Sequence, residues 1–236
     1  MKKSFLIIGM GRFAHYVCEE LLRLGNTNIM CVDIQEERVA DLIDKVESVQ
    51  IGDCTDPDVL RSLGVRNFDV VLICIGGNFQ NSLEITWQVK QMGAKHVISK
   101  ANRDMHADFL ARNGADEVIY PDRDIAERKA KAWSASSIFD YIELDDGYSI
   151  YEIAVPDSWI GRSLRQLDIR SRYSMNVVGI KQKDKLNIIP PVDYPFAASD
   201  RLVIVSADKA MENLLNVELG DDSKKPRIWK YGNKSI

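Results

Sequence analysis

The sequence predicts an α/β protein built on a doubly wound parallel sheet, followed by a smaller α+β unit. Three observations predict it. Residues 4–120 alternate short apolar runs with amphipathic stretches six times over, the rhythm of βα units laid side by side. The run Phe68–Ile75 is almost continuously apolar, as a strand is when helices cover both faces of its sheet. The first strand–helix turn reads Gly9-Met10-Gly11-Arg12-Phe13-Ala14, and this spacing lets a helix start close to a sheet with its N-terminus open to an anion.

Taken in order, Ser4–Ile8 reads as a strand, and Arg12–Leu24 has helical spacing closed by Gly25, a favoured residue just past a helix end. Asn28–Val32 is the second strand, Glu36–Asp44 the second helix and Ser48–Ile51 the third strand. Asp56-Pro57 places a capping residue before a proline at the first helical position. After the strand Phe68–Ile75, a long helix from Phe79 ends at Gly93, and Val97–Ser99 begins the fifth strand. Asn102 caps a helix running to Gly114, and Val118–Tyr120 is the sixth strand.

The rhythm changes near residue 121. Asp122–Phe139 reads as one helix, polar and then apolar through Ala130, Ala132, Trp133, Ala135, Ile138 and Phe139. That spacing gives no single stripe, which fits either an element wedged between subunits or an intradomain crossover. Tyr141–Leu144 and Tyr148–Val155 flank Asp145-Asp146-Gly147, a hairpin signal. A short helix at Ser163–Leu167, strands at Asn176–Lys181, Lys185–Ile189 and Arg201–Ser206, and a helix from Asp208 complete an α+β unit. The predicted organisation is therefore 1–121, a linking helix within 122–140, a second domain over 141–219, and a charged tail from Gly220 that reads as disordered.

Composition narrows the function. The 236 residues are 45% hydrophobic and 28% charged, with 31 Lys and Arg against 35 Asp and Glu and a net charge of −4. That balance is globular and offers no basic footprint for nucleic acid. The longest strongly apolar stretch, Val70–Ile75, is far short of a membrane span. The start, Met1-Lys2-Lys3 followed by Phe5–Ile8, resembles a signal peptide only superficially, because the apolar run stops at Gly9 with no small-residue cleavage site. Cys18, Cys31, Cys54 and Cys74 have no CxxC spacing; they read as reduced thiols of a cytoplasmic protein rather than as disulfides or a zinc site.

The first turn carries the sharpest functional signal. Gly9 permits the tight turn, Gly11 presents no side chain to a phosphate, and Ala14 is small where helix meets sheet. Asp33 ends the second strand 22 residues after Gly11. A carboxylate there accepts bonds from ribose hydroxyls and repels a 2′-phosphate, so the pattern favours NAD(H) or an adenosine nucleotide over NADP. The fold is then Rossmann-like; the alternative is a sheet of that type whose glycines serve packing alone. Arg12 adds charge to the phosphate site or is a solvated first-turn residue. Gly52-Asp53-Cys54-Thr55 lies beside the adenine end of the cleft or is simply a capped turn. None of His15, His96 and His106 falls in the second domain with a partner carboxylate or cysteine, so each reads as structural or solvated, and no HExxH, GxSxG or P-loop is present.

These segments also resemble a known family. Phe5–Phe13, Cys31-Val32-Asp33, Gly52–Thr55, Phe68–Gly76, Lys100-Ala101 and Gly114–Pro121 follow in the order seen in RCK (regulator of conductance of potassium, or KTN) proteins. Val155-Pro156, Ile160–Leu164, Val178-Gly179-Ile180 and Asp200–Val205 are similar to the family's C-terminal subdomain. The match is nearest to the regulatory subunits of Ktr/Trk-type bacterial potassium uptake systems.

The resemblance implies a non-enzymatic cytoplasmic subunit. Its homodimers form a ring, commonly an octamer, on the inner face of a membrane potassium transporter subunit, and ATP, ADP or NAD(H) gate transport by changing the ring's shape. It implies a nucleotide site over Gly9, Met10, Gly11, Arg12, Phe13, Asp33, Ile34, Asp53, Cys54, Ile75, Gly76 and Lys100. Arg12 and Lys100 serve the phosphates, Asp33 the ribose, and Asp53 and Cys54 the adenine side. Family members that read ATP carry a glutamate after the proline ending the sixth strand, near a divalent ion such as Mg2+. Here the residue is Asp122, one methylene shorter. Some members bind cyclic di-AMP, and the matching stretch is Ile169-Arg170, Asn176 and Ile189-Pro190-Pro191, which equally reads as a strand end and a solvated face. The competing readings are an NAD-dependent oxidoreductase and a free-standing NADH redox sensor.

Overall fold

The computed structural model describes residues 2–134, 137–183 and 185–218. The chain divides into two compact units between Arg123 and Asp124. The tail read from Gly220 onward lies outside the described residues.

The first unit is a six-stranded, fully parallel sheet. Its strands are β1 (Lys3–Ile8), β2 (Thr27–Asp33), β3 (Ser48–Ile51), β4 (Val70–Ile73), β5 (Val97–Lys100) and β6 (Glu117–Ile119), in the spatial order β3-β2-β1-β4-β5-β6. Strand order therefore reverses between β1 and β4, where Ile8 faces Val32 on one side and Ile73 on the other. An open doubly wound sheet has its crevice at that reversal, outside the carboxyl ends of the strands. Side chains alternate across β1. Leu6 and Ile8 join Val71, Ile73, Ile85 and Val89 in one core layer, while Ile7 joins Ala14, Cys18, Cys31 and Leu72 in the other. Both layers are closed to water, which is why β4 has no polar face.

The helices of this unit are α1 (Arg12–Leu24), α2 (Pro57–Leu63), α3 (Phe79–Gln91) and α4 (Asp104–Arg112). Asp56 caps α2 by accepting from the Asp58 amide with Pro57 at the first position, and Asn78 caps α3 through the Asn81 amide.

Three expected elements of this unit differ. Glu36–Asp44 is not an α-helix: it forms two 3-10 turns, Glu36–Arg38 and Ala40–Leu42, closed by three-residue bonds such as Leu42 N–H to Val39 C=O at 3.0 Å. Only Val39 and Leu42 are buried in this stretch, so two anchors hold a tight connector and no helical stripe exists to support a longer element. The strand expected over Phe68–Ile75 shortens to β4, because Phe68 ends a 3-10 turn and Cys74 begins the crevice loop. Helix α4 begins after Arg103, not Asn102, and the Asn102 side chain is used elsewhere.

The second unit begins within α5 (Pro121–Ser134) and continues into β7 (Ile138–Asp145). The single helix expected over Asp122–Phe139 thus ends early. Ile138–Ile142 pairs in antiparallel register with β8 (Tyr148–Ala154), with a register irregularity between Ile138 and Asp140, which places Phe139 on a strand. Its ring carries the Arg201 guanidinium at 3.8 Å. Ala135 lies outside the described residues, and Trp133 is exposed. With β9 (Met175–Gln182), β10 (Lys185–Asn187) and β11 (Arg201–Ala207) the sheet order is β10-β9-β11-β8-β7. Short helices α6 (Leu164–Leu167) and α7 (Ile169–Tyr173) and the longer α8 (Asp208–Glu218) accompany it. Alternate residues of β8 and β11, among them Tyr151, Ile153, Leu202 and Ile204, meet Trp159 and Phe196 in its core. Among the described residues no helix is long and apolar enough to cross a membrane.

The edge of β1 is tied to the start of β4 by Asp69, whose carboxylate accepts from the Ser4 amide at 2.9 Å, the Ser4 hydroxyl at 3.0 Å and Lys95 Nζ at 2.9 Å. These partners, Lys95 first, hold its pKa well below the ordinary carboxylate range. A depressed folded pKa contributes stability above the unfolded value near 4 and loses it as pH falls below that. Asp69→Asn should therefore lower the urea midpoint at pH 7, with the gap to the parent protein narrowing steadily below about pH 4. A gap independent of pH would show that the charge of Asp69 contributes nothing.

Candidate functional site

The site is assembled at the carboxyl edge of the first sheet, around the turn that joins β1 to α1. Gly9 sits at φ +89°, and a Cβ there would lie 3.1 Å from Ile75 Cγ1 and 3.2 Å from the Cys74 carbonyl carbon. Positive φ and close backbone approach together demand glycine. Gly11 is different. It is the N-cap of α1 with ordinary extended backbone, φ −77° and ψ 178°, and a Cβ would meet nothing within 4 Å. The space above the thirteen-residue helix is open where its unpaired amides and positive dipole end emerge. Arg12, the first helical residue, is exposed and makes no ion pair or hydrogen bond among the described residues.

Asp33 braces this turn. The residue is 5% exposed; its Oδ2 accepts the Met10 amide at 2.7 Å and its Oδ1 the Gln35 amide at 2.9 Å, with Arg38 Nη1 3.7 Å away. The carboxylate thus fixes the loop before it can serve any ligand. Ile34 beside it is largely exposed, whereas Met10 is buried and Phe13 half-buried. After β3, Asp53 accepts the Thr55 amide at 2.9 Å and hydroxyl at 2.7 Å, contacts that favour the carboxylate and lower its pKa. Cys54 packs in the core, its thiol pushed up to about 12 by burial and then by Asp53 and Asp33. The segment is a braced turn, whatever else it does.

Across the crevice, Ile75 is half-buried and Gly76 exposed. Lys100 closes β5 with its side chain 15% exposed; Nζ donates to Asn102 Oδ1 at 3.3 Å and lies 3.9 Å from Asp122 Oδ2. Asp122 is 83% exposed. Among the described residues no three His, Cys, Asp or Glu side chains converge on a metal position. The structure therefore brings Gly9, Gly11, Arg12 and Asp33 to one side of the reversal and Ile75, Gly76 and Lys100 to the other. The sequence pattern does not reveal Arg38 or Asn102: Arg38 lies in the stretch expected to be helical, and Asn102 has the signature of a helix cap.

In the second unit, Arg170 and Asn176 line an open depression of about 400 Å³ with Tyr148, Ser174 and Ser206. The Ser206 hydroxyl is buried without a partner. Ile169 belongs to the core, Ile189 is 81% exposed, and Ile189–Pro191 are not among the lining residues.

A glycine-lined helix N-terminus at the reversal of a doubly wound sheet, followed by a small antiparallel unit, is the architecture of an RCK-type regulatory protein. Residues 5–121 match the TrkA-N domain and 150–217 the TrkA-C domain. The chain is 36% identical over 207 residues to Ktr system potassium uptake protein C of Bacillus subtilis, covering 88% of this chain and 93% of that protein. It is 32% identical to Ktr system potassium uptake protein A of the same organism, over 91% and 96% of the two chains. The GsuK RCK domain shares the fold, with a TM-score of 0.68 and 18% identity over 94% of this chain and 48% of that one. The chain belongs to the RCK family and is homologous to the Ktr potassium-uptake regulatory subunits, which favours that reading over a dehydrogenase.

The two glycines should separate in experiment. Gly9→Ala meets both a strained φ and backbone at 3.2 Å and should cost roughly 1–3 kcal/mol in chemical denaturation. Gly11→Ala meets open space and should stay within about 0.5 kcal/mol of the parent. Equal losses would mean that the turn is not the one described.

Proposed function

We propose that the first unit binds an adenine nucleotide, ATP, ADP or NAD(H), and that the nucleotide sets the conformation of a ring of these subunits gating a membrane potassium transporter. The observation that carries the reading is the empty space over Gly11 at the start of α1, with Arg12 unpartnered beside it and Lys100 at the end of β5 beside the Gly76 rim. Backbone amides, a helix dipole and two cations suit the diphosphate of such a ligand. Asp33 keeps lone pairs for ribose hydroxyls after accepting two amides, and Ile34 offers apolar surface beside it. Asp53 and Cys54 lie toward the adenine side through their backbone and turn.

Mg2+ enters with the nucleotide, Asp122 supplying one oxygen and the phosphates most of the rest. The depression bearing Arg170, Asn176 and Tyr148 takes cyclic di-AMP, the guanidinium pairing a phosphate. The subunit is regulatory rather than catalytic, as its homology to potassium uptake proteins supports. It works at the cytoplasmic face through its transporter partner. Ring assembly, to an octamer, starts from homodimers. A ligand moves such a ring only as far as it prefers one shape to another.

Titration calorimetry tests the nucleotide site. Arg12→Ala should weaken ADP by about 1.5–3 kcal/mol through loss of a charge-assisted contact; unchanged affinity would overturn the phosphate assignment. Light scattering tests assembly. Trp133, exposed at 80% on α5, is large apolar surface suited to a subunit contact. Trp133→Glu should shift the ring toward smaller species while each first unit still binds ADP, and an unchanged mass would count against that helix.

A further inference from the structure

We propose that Asn102 is a positioning residue for the phosphate site: its side-chain amide holds the Lys100 ammonium against the Gly76 rim and thereby sets nucleotide affinity. The proposal rests on the nucleotide reading above and adds a residue to it. Asn102 sits two residues past the end of β5, where an asparagine ahead of a helix would ordinarily cap it. It does not: the N-cap is Arg103, with no side-chain bond. The amide instead points across the strand ends. Nδ2 donates to the Gly76 carbonyl at 2.5 Å and Oδ1 accepts from Lys100 Nζ at 3.3 Å. The side chain therefore joins the rim after β4 to the cation that closes β5.

Two features make this a positioning device rather than a general brace. The backbone of Asn102 is held independently, its amide directed to His106 Nδ1 at 3.4 Å and its carbonyl accepting the Tyr120 hydroxyl at 2.5 Å. Removing the side chain leaves both contacts. Second, the partner it gives Lys100 is neutral. An amide oxygen orders an ammonium without discharging it, whereas Asp122, the other neighbour at 3.9 Å, is 83% exposed and screened by water. A lysine has a flexible four-carbon stem and loses rotamer freedom when a ligand orders it. A lysine already ordered on a neutral acceptor spares that loss, which is affinity gained by pre-organisation. One N–H of the amide is engaged by the Gly76 carbonyl and the oxygen by the Lys100 ammonium, so the role proposed for Asn102 runs through Lys100.

The test is a double-mutant cycle read by titration calorimetry with ADP in EDTA, on the full chain, using Asn102→Ala, Lys100→Ala and the double variant. Asn102→Ala should weaken ADP about fivefold and leave adenosine, which has no phosphate, unchanged. In the Lys100→Ala background the same change should cost nothing further. Asn102→Asp, which keeps the size but discharges the lysine, should weaken ADP more than Asn102→Ala does, and it serves equally if the alanine variant folds poorly. The proposal is overturned by wild-type ADP affinity in Asn102→Ala or Asn102→Asp, by an equal loss for adenosine, or by a loss that persists undiminished without Lys100. A parent protein that binds neither ADP nor NAD(H) instead removes the nucleotide reading itself, a result distinguishable from failure of the cycle.

Discussion

The carboxyl edge of the first sheet depends on one buried hydrogen bond, from the Met10 amide to the Asp33 carboxylate at 2.7 Å. A carboxylate with so little exposure is costly unless its oxygens are satisfied, and here each accepts a backbone amide. Hydrogen bonds to a charged group contribute about 1.5–3 kcal/mol apiece, enough to hold the first turn in a single shape. With Met10 drawn toward β2, Gly9 adopts its positive φ against Cys74 and Ile75, and the following amides of α1 face outward. One residue at the end of β2 thus decides where the start of α1 points.

The sheet beneath makes that edge possible. Because Leu6 and Ile8 feed one core layer and Ile7 the other, β1 is pinned from both faces, and its C-terminal end has little freedom to drift. The strands that flank it run in opposite sequence directions from the reversal, so the loops after β1 and β4 part and leave a crevice. Gly9 closes the floor of that crevice and Gly11 leaves its roof open. The same residue type serves opposite purposes two positions apart, and the difference lies only in what surrounds each Cα.

Much of this was legible in the sequence. Six alternations and the unbroken apolar run around Val70–Ile73 indicate a covered parallel sheet, and the glycine spacing identifies the turn. The family match follows from the same segments. What failed did so where tertiary contacts outweigh local pattern. Glu36–Asp44 has good helix formers but only two buried anchors, so it tightens into 3-10 turns. Ile138 and Phe139 look like the apolar end of a helix until strand pairing with β8 is available. Asn102 satisfies every local rule for a cap, yet its amide meets Gly76 and Lys100, residues brought close by β4 and β5 lying side by side. The braced states of Asp33 and Asp53 were likewise invisible, since residue type alone does not show which amides a carboxylate has already accepted.

Charge reinforces the distinction between the whole chain and the site. The net charge of −4 argues against an extended polyanion, because nucleic-acid binding needs a cation for each phosphate engaged along a track. A short polyanion needs far less. At physiological salt, exposed charges beyond about 8 Å are screened, so a diphosphate placed at the reversal would feel mainly Arg12, Lys100, the amides of α1 and the nearby acids. Arg12 has no competing acid among the described residues, and Lys100 meets Asp122 only at an exposed 3.9 Å. A unit charge pair at 4 Å carries about 4 kcal/mol at the effective dielectric of a protein surface, which leaves local cations decisive over the acidic remainder. An acidic chain and the proposed anion site in the crevice are therefore compatible, and together they would restrict a ligand to something small enough to sit on a single turn.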